Sequence, residues 1–297
     1  MLDKFARIAA SAGLALAALV VPPFAARAAA DPVKVVAAEN VYGDVARQIG
    51  GDHVAVTSIL SKPDDDPHLF EASPETARAL ADAKIVIANG VDYDPWMENL
   101  LTAHPAPGRK AIVVGALTGH KAGDNPHLWY DPANVKATGK ALAEALVAAD
   151  PANRADYEQG LQTFEASLKP LDDKIAAMKK AFAGQLVTAS EPVFGYQAGL
   201  IGLEVHNEKF ALAVMNNAEP TPSQVAAFEN DLKGHKVKAM LYNAQASEPS
   251  VQRLVHMARD NGIPVVGVSE TEPPNATYQT WMLGQLGALD KALAPTQ

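Results

Sequence analysis

Four short stretches carry side chains able to bind a cation, and each holds a proline close to them. Asp64-Asp65-Asp66-Pro67-His68-Leu69-Phe70-Glu71 sets an imidazole directly after a proline, whose ring fixes the backbone behind it. Asn125-Pro126-His127-Leu128-Trp129-Tyr130-Asp131-Pro132 repeats the Pro-His-Leu-aromatic pattern. Ser190-Glu191-Pro192 offers a carboxylate, and Ser269-Glu270-Thr271-Glu272-Pro273-Pro274 offers two, either of which could face inward. Imidazole nitrogen and carboxylate oxygen are good ligands for first-row divalent ions. Taken singly, each stretch also has a plainer reading. These are a solvated turn at His68, a carboxylate favoured by a helix N-terminus at Glu191, and a solvated acidic loop at 270–272. The repeated pattern before two helix caps points both histidines to one place.

The elements that must position these residues alternate in type. Apolar runs at Val33–Ala37, Val54–Leu60, Ile85–Ala88, Ala111–Val114, Leu186–Thr188, Ala239–Tyr242 and Val265–Val268 suit parallel strands buried on both faces. The four cation-binding stretches follow such runs, where α/β folds place ligands. A polar cap followed by proline marks helix starts at Ser73-Pro74, Asp131-Pro132, Asp150-Pro151 and Thr221-Pro222, with Glu248-Pro249 a weaker version. Strand and helix in alternation predict α/β with parallel sheets.

From about Arg154 to Ala183 the pattern changes. Tyr157, Leu161, Phe164, Leu168, Leu171, Ile175, Met178 and Phe182 recur every three or four residues, one apolar stripe along a long helix. Pro170 interrupts it without breaking its phase, which predicts a kinked single helix. The expected organisation is a leader over 1–30, an N-terminal α/β lobe over 31–150, a connecting helix over 151–183 and a C-terminal α/β lobe over 184–297.

The 297 residues are 48% hydrophobic and 20% charged, the balance of a folded soluble chain. A net charge of −9 argues against nucleic acid as a partner. Met1 to Ala30 reads as a secretory signal: Lys4 and Arg7 lead, Ile8–Val21 is apolar, and Ala26-Arg27-Ala28 or Ala28-Ala29-Ala30 offers a cleavage site. With no cysteine, neither disulfides nor a lipidated N-terminal Cys are expected, so a free, soluble periplasmic protein and a monomer are predicted.

Several stretches together resemble the TroA-like zinc and manganese solute-binding proteins of metal ABC importers. They are Ala38-Glu39-Asn40-Val41-Tyr42-Gly43, Asp66-Pro67-His68, Ala88-Asn89-Gly90-Val91-Asp92-Tyr93-Asp94-Pro95-Trp96, Asn125-Pro126-His127-Leu128-Trp129, Phe194-Gly195-Tyr196 and Thr277-Tyr278-Gln279-Thr280-Trp281-Met282. The resemblance implies two α/β lobes joined by one long helix, with a metal site in the cleft between them. It also implies capture of a divalent transition metal and its delivery to an inner-membrane ABC permease with its ATPase, and no enzymatic role.

The family's first two ligands fall on His68 and His127. The third, His in many zinc members and Glu in many manganese or iron members, falls on Glu191. The fourth falls on Glu270, the first acid after its strand, with Glu272 as the fallback because the usual aspartate is absent. Two neutral imidazoles and two carboxylates would balance a doubly charged ion. Carboxylates favour Mn(II) or Fe(II) more than an all-imidazole set would, and Zn(II) accepts the same ligands. Only His120-Lys121-Ala122-Gly123-Asp124 stands where many zinc members carry a long His-rich loop, and His120 is a candidate auxiliary ligand. Competing readings are a periplasmic metal-dependent hydrolase and a metal buffer or adhesin. The hydrolase motifs H-E-x-x-H and G-x-S-x-G are missing.

Overall fold

Short runs of Val, Ile and Ala become parallel strands here because helices cover both of their faces. The computed structural model describes residues 31–62, 70, 73–246 and 248–295. The expected leader and His68 lie outside the described residues. In chain order come β1 (Val33–Glu39), α1 (Asn40–Gly50), β2 (Val54–Leu60), α2 (Pro74–Asp82), β3 (Ile85–Ala88), α3 (Pro95–Ala103), β4 (Lys110–Val113), α4 (Val114–Thr118) and α5 (Pro132–Ala149). The strands pair in the order β2-β1-β3-β4, all parallel, with Val35 opposite both Val56 and Ile85.

Two helices, α6 (Arg154–Ser167) and α7 (Lys169–Phe182), lead to the second half. It runs β5 (Leu186–Ala189), α8 (Gly195–Ile201), β6 (Glu204–His206), α9 (Glu208–Met215), α10 (Pro222–Lys233), β7 (Met240–Asn243), α11 (Pro249–Asp260), β8 (Val265–Val268) and α12 (Tyr278–Leu293). Its strand order, β6-β5-β7-β8, repeats that of the first sheet. The two sheets with their helices are called the N-lobe and C-lobe below. β6 has no counterpart among the sequence expectations. It is three residues long, two of them polar, and sits at a sheet edge where no apolar run is required.

The helix caps follow their chemistry. Ser73 Oγ accepts from Thr76 N at 3.1 Å, Asp131 Oδ1 from Ala133 N at 2.8 Å, and Thr221 closes a capping box with Gln224. Asp150-Pro151 differs. It opens a single 3₁₀ turn, and the Asp150 carboxylate is taken by Asn153 Nδ2 and the Tyr157 hydroxyl, so the α-helix begins at Arg154.

The expected kinked helix is present as α6 and α7, separated only by Leu168, whose φ of −81° and ψ of −12° stay helical. The kink lies two residues before Pro170, which has no N–H to continue the ladder. α6 packs on α1 and α5, and α7 on α8 and α12, so the stripe divides between the two lobes. Leu168, Leu171 and Met178 are fully buried in a core that runs from Val35 to Leu293.

One face of α1 is stitched to the end of the C-lobe. The Asn40 amide donates to the Glu272 carbonyl at 2.8 Å and accepts from its N–H at 3.1 Å. Asp44 Oδ2 accepts from Tyr278 N at 2.9 Å, and the Gln48 and Gln279 amides pair reciprocally at 3.0 and 2.8 Å. Positions 40, 44 and 48 recur every four residues, so one stripe of the helix makes all of these bonds.

Candidate metal centre

The candidate residues gather where strands of both sheets end, the place α/β folds reserve for ligands. Proline at 126 and the 3₁₀ turn Leu128–Tyr130 bring His127 inward, where it is fully buried. Its ring lies edge-on to Tyr93 and Trp129, with centroids 5.9 and 5.6 Å away. Nδ1 stands 2.7 Å from Asn125 Oδ1, which also accepts the His127 backbone N–H at 3.1 Å. Nε2 is buried without a hydrogen-bond partner among the described residues, and Glu270 Oε2 lies 3.8 Å from it. That gap is too wide for a hydrogen bond. It is close to the roughly 3.4 Å between two ligand atoms of a tetrahedral ion with bonds near 2.05 Å.

Glu270 follows β8, and its backbone N–H is fastened to Gln245 Oε1 at 2.6 Å. The Tyr93 hydroxyl donates to its Oε2 at 2.8 Å, and Asn243 Nδ2 donates to its Oε1 at 2.6 Å. Glu191 follows β5, and the same Asn243 Nδ2 stands 3.3 Å from its Oε2. Both carboxylates are therefore buried and gathered by one amide at the end of β7. Glu270 thus faces His127 and shares the Asn243 amide with Glu191, while among the described residues no three His, Cys, Asp or Glu groups stand close enough to hold a metal ion.

Glu272 goes elsewhere. Its carboxyl is buried against α1, and burial, followed by the negative charge of Asp44, pushes it up to about 9, while Arg47 pulls the other way. His120 stacks edge-on against Tyr196 at 5.5 Å and lies 3.7 Å from Asp124 Oδ2.

A strained loop delivers Tyr93. Gly90, Val91 and Asp92 all have positive φ, at 74°, 57° and 60°. Such values are rare for a β-branched residue and persist only where the surroundings enforce them. Here Asp94 enforces them, accepting from the Asn89 and Gly90 backbone N–H groups at 2.7 Å each. Asn89 ties the loop to the His127 stretch through the Pro126 carbonyl at 2.8 Å, and its own Oδ1 accepts from the Tyr42 hydroxyl at 2.6 Å. Burial raises Asp94 to about 6, and its backbone N–H partners restrain the rise. Glu39, at the end of β1, is pushed well above the usual carboxylate range by burial and then by the charge of Asp94.

Sequence reasoning missed Tyr93 and Asn243 as partners of the site. Tyr93 lay inside a quoted motif without an assigned role, and Asn243 is a single amide whose signal is its place at the end of an apolar run.

Paired parallel sheets meeting at buried imidazole and carboxylate groups describe a two-lobed binding protein. Residues 35–292 match the family profile described as zinc-uptake complex component A, periplasmic, and the chain belongs to that family. It is a metal-binding, substrate-binding component of an ABC importer, a non-enzymatic class. The iron ABC transporter substrate-binding lipoprotein MtsA of Streptococcus pyogenes is 25% identical over 288 residues, 90% of this chain and 91% of that protein. The manganese ABC transporter substrate-binding lipoprotein PsaA of Streptococcus pneumoniae is 24% identical over 257 residues, 80% of each chain. In fold the chain is similar to the periplasmic zinc binding protein TroA of Treponema pallidum. That match has a TM-score of 0.76 at 18% identity and covers 90% of this chain and all of that one. The Cd-bound periplasmic metal binding protein of Candidatus Liberibacter asiaticus matches with a TM-score of 0.70 at 20% identity, over 88% of this chain and 99% of that one.

Proposed function

We propose that this chain captures one first-row divalent ion between its lobes, with His68 and His127 from the first and Glu191 and Glu270 from the second. The observation that carries this reading is the buried His127 Nε2, which has no hydrogen-bond partner among the described residues and faces the Glu270 carboxylate at 3.8 Å. A buried lone pair left without a donor is costly unless a ligand satisfies it. The Nδ1 contact to Asn125 is the outer support that metal-bound imidazoles usually have. Two carboxylates make Mn(II) or Fe(II) the favoured cargo, with Zn(II) accepted by the same set.

The lobes take the boundaries 31–150 and 184–297, bridged by 151–183. Residues 1–30 direct export, and the mature monomer works in the periplasm, handing its ion to an inner-membrane permease. Among the described residues no helix is long and apolar enough to cross a membrane. Elemental analysis of protein purified without added metal, followed by competition titration of Mn(II), Fe(II) and Zn(II), tests the reading. One equivalent of a transition metal is expected, and acid should release it because protonated ligands cannot coordinate. Wild-type affinity in both His68→Ala and His127→Ala would remove the proposed ligand set.

A further inference from the structure

Both ends of the Asn125 side chain are committed, and to different lobes. Oδ1 accepts the His127 backbone N–H at 3.1 Å and lies 2.7 Å from His127 Nδ1, while Nδ2 donates to the Pro192 carbonyl at 2.8 Å. A backbone N–H can only donate and a backbone carbonyl can only accept, so these two partners fix which way the amide points. Nδ1 of His127 must then carry the ring proton, which leaves the Nε2 lone pair facing Glu270. Pro192 directly follows Glu191 in the C-lobe. A second bond ties the same residue to α8, from the Tyr196 hydroxyl to the Asn125 carbonyl at 2.7 Å. The passage is shaped for the amide, because a Cβ on Gly195 would stand 2.8 Å from Asn125 Nδ2.

We propose that Asn125 is a positioning residue that uses one amide both to select the ligating tautomer of His127 and to latch the N-lobe to the loop carrying Glu191. The inference rests on the ligand set proposed above. While Pro192 holds Nδ2, the amide cannot turn. Once the lobes part at this rim, only the His127 backbone N–H still orients it, and in the fraction that rotates the amide sets N–H against N–H at His127. The imidazole then also takes the tautomer with its proton on Nε2, which cannot bind an ion. His127 is therefore fully prepared for its ion in the latched arrangement and less so when the latch opens.

Asn125→Asp keeps the acceptor for His127 and removes the donor to Pro192, whereas Asn125→Ala removes both. Gly195→Ala crowds the latch from the C-lobe and leaves Asn125 in place. Two measurements separate the roles: the ¹⁵N shifts of the His127 ring in metal-free protein, and the rate at which bound Mn(II) or Zn(II) passes to excess chelator. The wild type should show one tautomer, protonated at Nδ1. Asn125→Ala should show mixed tautomers and about tenfold faster release, the scale typical of lost outer partners. Asn125→Asp should keep the single tautomer and still release about tenfold faster. An anionic acceptor strengthens the imidazole as a ligand, so faster release there isolates the latch.

A single tautomer in Asn125→Ala, or wild-type release in Asn125→Asp, overturns the proposal. Should those variants fail to fold, wild-type release in Gly195→Ala overturns it equally. The tautomer measurement needs no metal. It is thus distinct from the ligand reading, which falls if His127→Ala keeps wild-type affinity for both ions.

Discussion

The Tyr93 hydroxyl donates to Glu270 Oε2 at 2.8 Å, joining the strained loop after β3 to the carboxylate after β8. The bond crosses between lobes and reaches the same carboxylate oxygen that faces His127 Nε2. Tyr93→Phe removes the donor and keeps the packed ring. About tenfold weaker binding of Mn(II) or Zn(II) is expected by titration calorimetry. An unchanged affinity would show that the hydroxyl does not orient Glu270.

Glu191 is one of two carboxylates gathered by Asn243. Glu191→His exchanges an anionic oxygen for a neutral nitrogen, which suits Zn(II) better than Mn(II). The ratio of Zn(II) to Mn(II) affinity should rise by about tenfold or more. The same ranking and ratio as the wild type would place Glu191 outside the ion's ligands.

The Glu39–Asp94 pair makes the metal-free protein lose stability as pH rises. Asp94 is raised to about 6, against about 3.9 in an unfolded chain. Between those values the folded protein keeps a proton that the unfolded chain has lost, so stability falls as pH rises from about 4 to about 6. The loss is about 3 kcal/mol. Glu39, raised by burial and then by the charge of Asp94, adds a loss of the same sign as pH rises. Glu39→Gln keeps the shape and removes that second ionisation. In thermal melts of metal-free protein, its margin over the wild type should widen as pH rises above the ordinary carboxylate range. A margin constant with pH counts against a buried, protonated Glu39.

Gly160 lets α6 cross α1 at close range. A Cβ there would overlap the Ile49 carbonyl, which is backbone and cannot swing aside. Gly160→Ala should destabilise the protein by about 1–3 kcal/mol, read as a lower Tm or urea midpoint, even though alanine favours helix. A gain in Tm would mean that the helices can separate without loss.

The architecture was legible wherever burial forces a pattern. β3 is apolar at every position and buried at every position, and the stripe from Tyr157 to Phe182 kept its phase through Pro170. β6 was not legible, because an edge strand of Glu-Val-His leaves no apolar run. Asp150-Pro151 does open a helical segment, but its first turn is 3₁₀ and the α-helix starts at Arg154, a difference the cap signature does not encode. The candidates His127, Glu191 and Glu270 were legible as acid or imidazole residues in proline-containing stretches after strands. Tyr93 and Asn243 act through one hydrogen-bonding atom each at positions set by tertiary packing, which no local spacing encodes.

The stripe formed by Asn40, Asp44 and Gln48 works like a piano hinge, pinned at a regular pitch along one face of α1. A joint pinned along its length permits a small roll about α1 and resists both sliding and wide gaping. Relative motion of the two halves must therefore stay within such a roll, and they cannot be prised fully apart without breaking these bonds.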